Sequence, residues 1–233
     1  MLIPLSRKKF EELIPLAATS TQYRYCWGRP TDALRRILIS LAGVFGALLI
    51  SFFLGESVEV VVFIVGAVMA FYWLWAPIFF ATQRNREYRR FQFSGFWAGE
   101  VIDTFITEEL KGTRETVNKR GELVVIEDRE KQFNLEVGDE TDFVATVTTP
   151  FKKEHRSIRV GDWAEMLVVS NRPDLSRITK ITDVYVSDAN LWVSDYPYLR
   201  RDAFKEVSEK IRRDYDASRY ESSRYEESRY NDY

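Results

Sequence analysis

The sequence of 233 residues has only one cysteine, Cys26, and one histidine, His155. One chain therefore cannot form an internal disulfide bond, or a structural zinc site built from cysteine and histidine ligands. The sequence also lacks the phosphate-binding loops, nucleophile elbow, HExxH and CxxC motifs of common enzyme classes. We therefore predict no catalytic, cofactor-binding or metal-binding residues. We expect Cys26 to be a free thiol, and His155, in a charged segment, to be solvated.

Charged side chains are absent from two apolar segments, residues 37–54 and 60–82. These segments contain 18 and 23 residues, and a helix needs about 20 residues to cross a hydrocarbon core. The link between them, residues 55–59, is short enough to permit only a hairpin. The sequence thus predicts a transmembrane helical hairpin over residues 33–82. Because transport paths usually need polar or charged groups within the membrane, the absence of charge argues against a channel or permease.

Basic residues flank the predicted hairpin on both sides, and the link between its helices is acidic. Arg35 and Arg36 precede the first segment, whereas Glu56 and Glu59 are the only charged residues of the link. The positive-inside rule therefore places both termini on the cytoplasmic side. The juxtamembrane linker, residues 83–95, contains four arginines that predict contacts with anionic lipid headgroups: Arg84, Arg86, Arg89 and Arg90. The net charge of −2 gives no reason to expect nucleic-acid binding.

Small residues recur in both apolar segments at four-residue spacing, which lets helix backbones approach closely in lipid. The pairs are Ala42/Gly46, Gly43/Ala47 and Gly66/Ala70. They serve either packing within the hairpin or docking of a partner's helices. The second segment ends in many aromatic residues and contains Pro77, which we expect to kink its last turns. The aromatic residues fit an interfacial belt, and contact with a pigment or quinone is the alternative.

Hydrophobic residues follow a strand-like period over much of residues 96–200. Residues 132–137 and 142–147 alternate, 123–126 and 163–169 predict more buried strands, and 178–186 and 191–193 predict two more. Five or six short strands favour a small closed or partly open β-barrel. Residues 158–163, Ile-Arg-Val-Gly-Asp-Trp, resemble the start of a late strand in OB-type barrels, including those of membrane-anchored NfeD-like proteins. The predicted fold class is a membrane α-hairpin plus a small cytoplasmic OB-like β-barrel.

The two ends of the chain have different patterns. The N-terminal segment, residues 1–32, either lies on the membrane surface as an amphipathic piece or packs on the barrel. Residues 201–216 predict a helix whose apolar face packs on the barrel. That face consists of Phe204, Val207 and Ile211. Residues 217–233 repeat Ser-Arg-Tyr with a period of five and have no apolar face, so we expect a disordered tail.

Two aromatic segments accompany the hairpin: residues 23–30, Tyr-Arg-Tyr-Cys-Trp-Gly-Arg-Pro, and residues 196–201, Tyr-Pro-Tyr-Leu-Arg-Arg. With this layout the chain resembles a group of two-helix membrane proteins of cyanobacteria and plastids. The resemblance implies a thylakoid protein that acts as an auxiliary factor in photosystem biogenesis.

These observations together predict a non-catalytic, membrane-anchored assembly or scaffold factor in a thylakoid or plasma membrane. Its expected partners are the lipid bilayer and an integral membrane complex, with photosystem subunits implied by the resemblance. The hairpin would dock beside client helices, and the barrel would bind a loop on the cytoplasmic side. One alternative is a regulatory accessory subunit of a membrane transporter or protease complex. The other is an enzyme with a cryptic site in the barrel.

Overall fold

The computed structural model describes residues 1–54, 59–117, 123–141 and 143–214. Its helices are α1 (Arg7–Leu13), α2 (Ser20–Trp27), α3 (Pro30–Leu54), α4 (Glu59–Ala70), α5 (Tyr72–Arg89) and α6 (201–214). Its strands are β1 (Leu2–Leu5), β2 (Phe93–Val117), β3 (Leu123–Gly138), β4 (Val144–Pro150), β5 (Trp163–Ser170), β6 (Lys180–Val186) and β7 (Leu191–Val193). The predicted hairpin turn at 55–58 and the predicted disordered tail, 217–233, lie outside the described residues.

The chain divides into two compact units, each built from separate stretches of sequence. The sheet unit consists of Met1–Leu13, Gln92–Asp195 and the chain from Leu199 onward. The helical unit consists of Ile14–Phe91 and Tyr196–Tyr198.

In the described part of the chain, α3 is the one helix that is long and apolar enough to cross a membrane by itself. Its 25 residues extend about 38 Å, compared with about 30 Å for a hydrocarbon core. Only Ser40 and Ala47 are buried along it. The first predicted segment, residues 37–54, lies entirely within this helix.

The second predicted segment, residues 60–82, is not one straight helix. α4 and α5 meet at an angle of 74°, and the break between them falls at Phe71. α4 has only 12 residues and is about 18 Å long, too short to cross a hydrocarbon core alone. A second span would therefore need the bent pair as a whole. The sharp bend falls at Phe71, whereas Pro77 lies within α5.

Side chains satisfy two backbone groups that the break releases from helical hydrogen bonding. The N–H of Trp73 donates to the Ser40 hydroxyl on α3 (3.2 Å), and the indole N–H of Trp75 donates to the carbonyl of Val68 (3.0 Å). An unpaired peptide group in an apolar environment is costly, so these contacts stabilise the bent form.

The small residues of α3 and α4 have different surroundings. A Cβ atom on Gly43 would lie 2.4 Å from the Met69 side chain, whereas one on Gly66 would make an ordinary 3.4 Å contact with Ala47. A Cβ atom on Gly46 would meet nothing within 4 Å. Gly43 therefore serves the close packing of α3 against α4. The Ala42/Gly46 pair remains open to lipid or to another helix.

The seven strands form one antiparallel sheet in the order β4-β3-β2-β5-β6-β7, with β1 also paired to β2. One hydrophobic cluster of the sheet unit includes Trp97, Phe133, Leu135, Met166 and Val184. Within the described residues no ladder joins β4 to β7, so closure into a barrel is not shown. The Thr149 hydroxyl does donate to the carbonyl of Ser194, just after β7, at 2.9 Å.

The first residues of the chain belong to the sheet unit. β1 pairs with β2 in a register that matches Leu2 with Trp97 and Leu5 with Ser94. Phe10 and Leu13 of α1 are almost completely buried. Residues 1–13 therefore join the sheet, whereas residues 14–32 of the same predicted segment belong to the helical unit.

A two-stranded arm, residues 108–117 and 123–131, extends beyond the rest of the sheet. Its strands pair with each other from Glu108 opposite Lys131 to Val117 opposite Leu123. β5 pairs with β2 only over Phe93–Glu100, and β4 pairs with β3 only over residues 132–138. An isolated hairpin is marginally stable in water, so the arm has little support of its own.

The C-terminal helix packs on the sheet as its apolar face predicted. Phe204 is fully buried and Val207 is 7% exposed. The Phe204 ring stacks on Phe96 with centroids 5.6 Å apart and meets the edge of Trp192 at 5.3 Å.

His155 is buried, so the expectation of a solvated histidine is wrong. It lies in a short 3-10 helix, Lys153–Ser157, and its ring is 4.6 Å from that of Phe133. Its Nδ1 accepts a hydrogen bond from the Lys152 N–H. Burial, and to a smaller extent the Lys152 charge, lowers the pKa of His155, although Glu154 opposes this.

Because His155 is buried in its neutral form, we predict that mild acid destabilises the sheet unit. The pKa of His155 is lower in the folded chain than its unfolded value of about 6.5, so protons bind preferentially to the unfolded state. The stabilising effect of neutral His155 should be complete above about pH 6.5 and decline as the pH falls through the folded pKa. We expect a smaller fall in melting temperature between about pH 7 and pH 5.5 for His155→Gln than for the unmodified protein. Equal falls would contradict this.

Candidate functional site

A fully hydrogen-bonded pair of amide side chains lies at the centre of the helical unit. Gln22 of α2 and Asn85 of α5 are completely buried and exchange two hydrogen bonds, of 3.0 and 2.9 Å. The Gln22 amide also donates to the carbonyls of Pro197 and Tyr198 (2.9 and 3.2 Å). These contacts fix α2, α5 and the Tyr196–Tyr198 segment to one another.

Gln22 was not among the predicted site residues, although its sequence context contains a local signal. Thr19 caps the N-terminus of α2, and Gln22 returns its side chain to the Thr19 N–H in a capping box. Thr-x-x-Gln before a helix indicates such a start. Nothing local indicated Asn85, because its partner lies 63 residues away in sequence.

The two aromatic segments that carried the family resemblance meet in the helical unit. The rings of Tyr25 and Tyr196 are 5.1 Å apart, edge to face. The Arg84 guanidinium lies 4.8 Å from the Tyr196 ring centroid and 5.6 Å from that of Tyr25. Arg84 therefore stacks on aromatic faces, where cation–π attraction is favourable.

Arg36 caps the C-terminus of α2. Its Nη2 donates to the carbonyls of Cys26 and Trp27, at 2.7 and 2.8 Å. These carbonyls have no helical partner, and a cation at this end favours the helix dipole. The Trp27 ring lies 5.7 Å from the guanidinium and 6.0 Å from the Trp73 ring. The other terminal nitrogen of Arg36, Nη1, is buried and has no hydrogen-bond partner among the described residues.

These residues surround an open pocket of about 400 Å³, which we call the arginine pocket. Arg36 and Arg84 supply its positive charges, and Asp32 and Glu87 its negative ones. The other lining residues are Tyr25, Cys26, Gly28, Phe80 and Gln83. Cys26 is a free thiol, as predicted. Burial raises its pKa, partly opposed by the charges of Arg84 and Arg36, so it is a poor nucleophile near neutral pH.

The four arginines predicted to contact lipid headgroups have different surroundings. Arg84 stacks on tyrosines, and Arg89 donates to the carbonyl of Ile14 at 2.7 Å. Arg86 and Arg90 have exposed side chains. Contact of these four arginines with anionic headgroups stays a prediction.

The sheet unit has a second pocket of about 490 Å³ beside α6, lined in part by Lys205, Arg212 and Arg213. Near it, the buried carboxylate of Glu165 accepts a hydrogen bond from the Ser208 hydroxyl. Arg212 forms an ion pair with the same carboxylate at 2.9 Å. This arrangement ties α6 to β5 and contains no histidine that could activate Ser208, so we interpret it as structural.

An apolar groove of about 600 Å³ lies between α3 and α4. Its walls include Val44, Ala47, Leu48, Phe63 and Gly66. The pigment or quinone alternative concerns the aromatic residues within 71–80, which do not line this groove, and it stays a prediction.

No group of three potential metal ligands occurs within residues 1–54, 59–117, 123–141 and 143–214.

Comparison with known proteins identifies the family. No curated protein and no solved structure matches the chain. One family model, described as a family of unknown function, matches residues 3–214, which include both compact units. The chain therefore belongs to DUF8619.

Proposed function

We propose that the protein is a non-catalytic, membrane-anchored scaffold that binds an integral membrane client on the cytoplasmic side. The observation that carries this proposal is the two-stranded arm, which has no supporting strand on either side within the described residues. An element that is marginal alone is well suited to becoming ordered on a partner.

The arrangement of the sheet unit supports anchoring by two spans. β1 precedes the helical hairpin in sequence and β2 follows it, yet they pair in one sheet. If α3 crosses a membrane, the chain must cross back before β2, so the number of crossings is even. The bent pair of α4 and α5 would supply the return. The basic flanks place both termini on the cytoplasmic side in this proposal.

We also propose that the sheet closes into a barrel. The hydrogen bond from Thr149 to Ser194 supports an OB-like barrel that closes between β4 and β7. A barrel would leave few exposed sheet edges apart from those of the arm.

The proposed occupant of the arm is an extended segment of the client. The outer edges of both arm strands present backbone N–H and C=O groups, which pair well with an added strand. Leu110, Leu123 and Val125 of the arm are each more than half exposed, and they offer apolar contacts to the added strand. Anchoring in the same membrane would favour integral membrane proteins as clients. The resemblance to cyanobacterial and plastid proteins makes a photosystem assembly intermediate in a thylakoid the first candidate.

A photo-crosslinker placed in the arm tests the proposal in its native membrane. We expect p-benzoylphenylalanine at Leu110 to crosslink an integral membrane protein, and the same group at Val160, which is 65% exposed but outside the arm, not to do so. Replacing Leu110 and Val125 by threonine should weaken client co-purification about tenfold, because two apolar contacts are lost.

The identity of the crosslinked protein separates the alternatives. An assembly intermediate favours the scaffold, whereas a mature transporter or protease favours the regulatory subunit. A second copy of this chain, a soluble protein, or equal crosslinking from both positions would contradict the proposal. Turnover of a small-molecule substrate by the purified chain would favour the cryptic enzyme instead.

A further inference from the structure

We propose that the arginine pocket binds the headgroup of one phospholipid, with its phosphate on Arg36 and Arg84. This inference rests on the membrane anchoring proposed above and adds a specific lipid site to it. Arg36 carries it, because its Nη1 is buried without a hydrogen-bond partner among the described residues although its Nη2 is fully used. A buried donor without a partner is costly and is expected to be completed by a ligand or water.

The position of the pocket indicates a lipid as the source of the phosphate. Arg36 immediately precedes the uncharged segment 37–54 of α3, so it would lie at the level of the headgroups. Trp27 and Trp73, which contact each other beside Arg36, are typical of the same membrane depth. The remaining Nη1 of Arg36 and the guanidinium of Arg84 can each donate a charge-assisted hydrogen bond to a phosphate oxygen.

The charges of the pocket indicate the kind of headgroup. Two guanidinium groups and two carboxylates line it, so a simple anion would gain little net attraction. The Asp32 carboxylate accepts a hydrogen bond from the Arg29 N–H and keeps further acceptor capacity. A headgroup with both a phosphate and a primary ammonium would pair with both signs of charge. We therefore infer a phosphoethanolamine headgroup, for which a volume of about 400 Å³ is sufficient.

Native mass spectrometry of the full-length protein, released from nanodiscs of mixed phospholipids, tests this site. The nanodiscs contain equal amounts of phosphatidylethanolamine, phosphatidylglycerol and phosphatidylcholine. We expect one retained phosphatidylethanolamine per chain. Arg36→Lys should reduce its retention about tenfold, since the single ammonium of lysine cannot both cap α2 and reach the phosphate. The control Arg35→Lys changes the neighbouring exposed arginine, which does not line the pocket, and should leave retention unchanged.

A second variant keeps the test independent of the helix cap. Gln83 is exposed and lines the pocket, so Gln83→Trp fills part of the pocket without removing any contact of Arg36. We expect Gln83→Trp to reduce lipid retention as well. Retention that is unchanged in Gln83→Trp, equally reduced in Arg35→Lys, or equal for all three lipids would overturn the proposal. Displacement of the lipid by inorganic phosphate alone would overturn the lipid as the source.

Extraction of membranes with alkaline carbonate distinguishes this failure from failure of the anchor. A protein released into the supernatant would contradict membrane anchoring itself. A protein that stays in the membrane but retains no lipid would contradict only the headgroup site.

Discussion

Replacing Gln22 by leucine should lower the stability of the helical unit by about 3 kcal/mol. The change removes a buried amide that bonds Asn85, Pro197 and Tyr198 and leaves their polar groups without these partners. Each buried polar group left unpaired costs about 1–3 kcal/mol. For a unit of this size, the melting temperature should fall by about 15 °C. A thiol-reactive fluorophore that reports exposure of Cys26 on heating measures the shift in mild detergent.

The control for this experiment is Gln83→Leu. It makes the same chemical change at an exposed glutamine of the same helical unit, where the effect should remain within about 0.5 kcal/mol. Adding Asn85→Leu to Gln22→Leu should recover part of the loss, because both members of the amide pair are then apolar. Similar shifts for Gln22→Leu and Gln83→Leu would show that the buried amide pair has no special role.

Replacing Phe204 by alanine should destabilise the packing of α6 on the sheet by about 3–5 kcal/mol. The ring is fully buried between Phe96 and Trp192, and its removal leaves a cavity between helix and sheet. Hydrogen exchange over residues 201–214 should become at least about 100-fold faster if α6 opens locally. Mass spectrometry of peptides from the intact protein measures this.

Phe105→Ala is the matched change in the same unit. Phe105 is 41% exposed on β2, so its loss should alter exchange in α6 very little. If both variants protected α6 as well as the unmodified protein does, the stacked rings would not be what holds the helix.

Elements with strong local patterns were predictable from the sequence. The uncharged segment 37–54 lies within α3, and residues 163–169 lie within β5. The apolar spacing of Phe204 and Val207 correctly predicted a helix packed on the sheet. In each case the signal lies within one stretch of chain, so periodicity alone is sufficient.

Features that depend on distant partners were not predictable. The break falls at Phe71, and the Trp73 N–H beside it finds its acceptor on Ser40, 33 residues away in sequence. Charged neighbours suggested a solvated His155, but Phe133 packs against its ring. The arginine pocket arises where α2, α3 and α5 meet, and no local spacing relates its residues.

The pairing of β1 with β2 has a consequence for biosynthesis. Residues 2–5 are made early, but their partners, residues 94–97, follow about 90 residues later. At about 5–20 residues per second, the wait is roughly 5–20 s. During this time the helical hairpin is synthesised, and β1 has no strand to pair with. Completion of the sheet is thus delayed until the hairpin has been made.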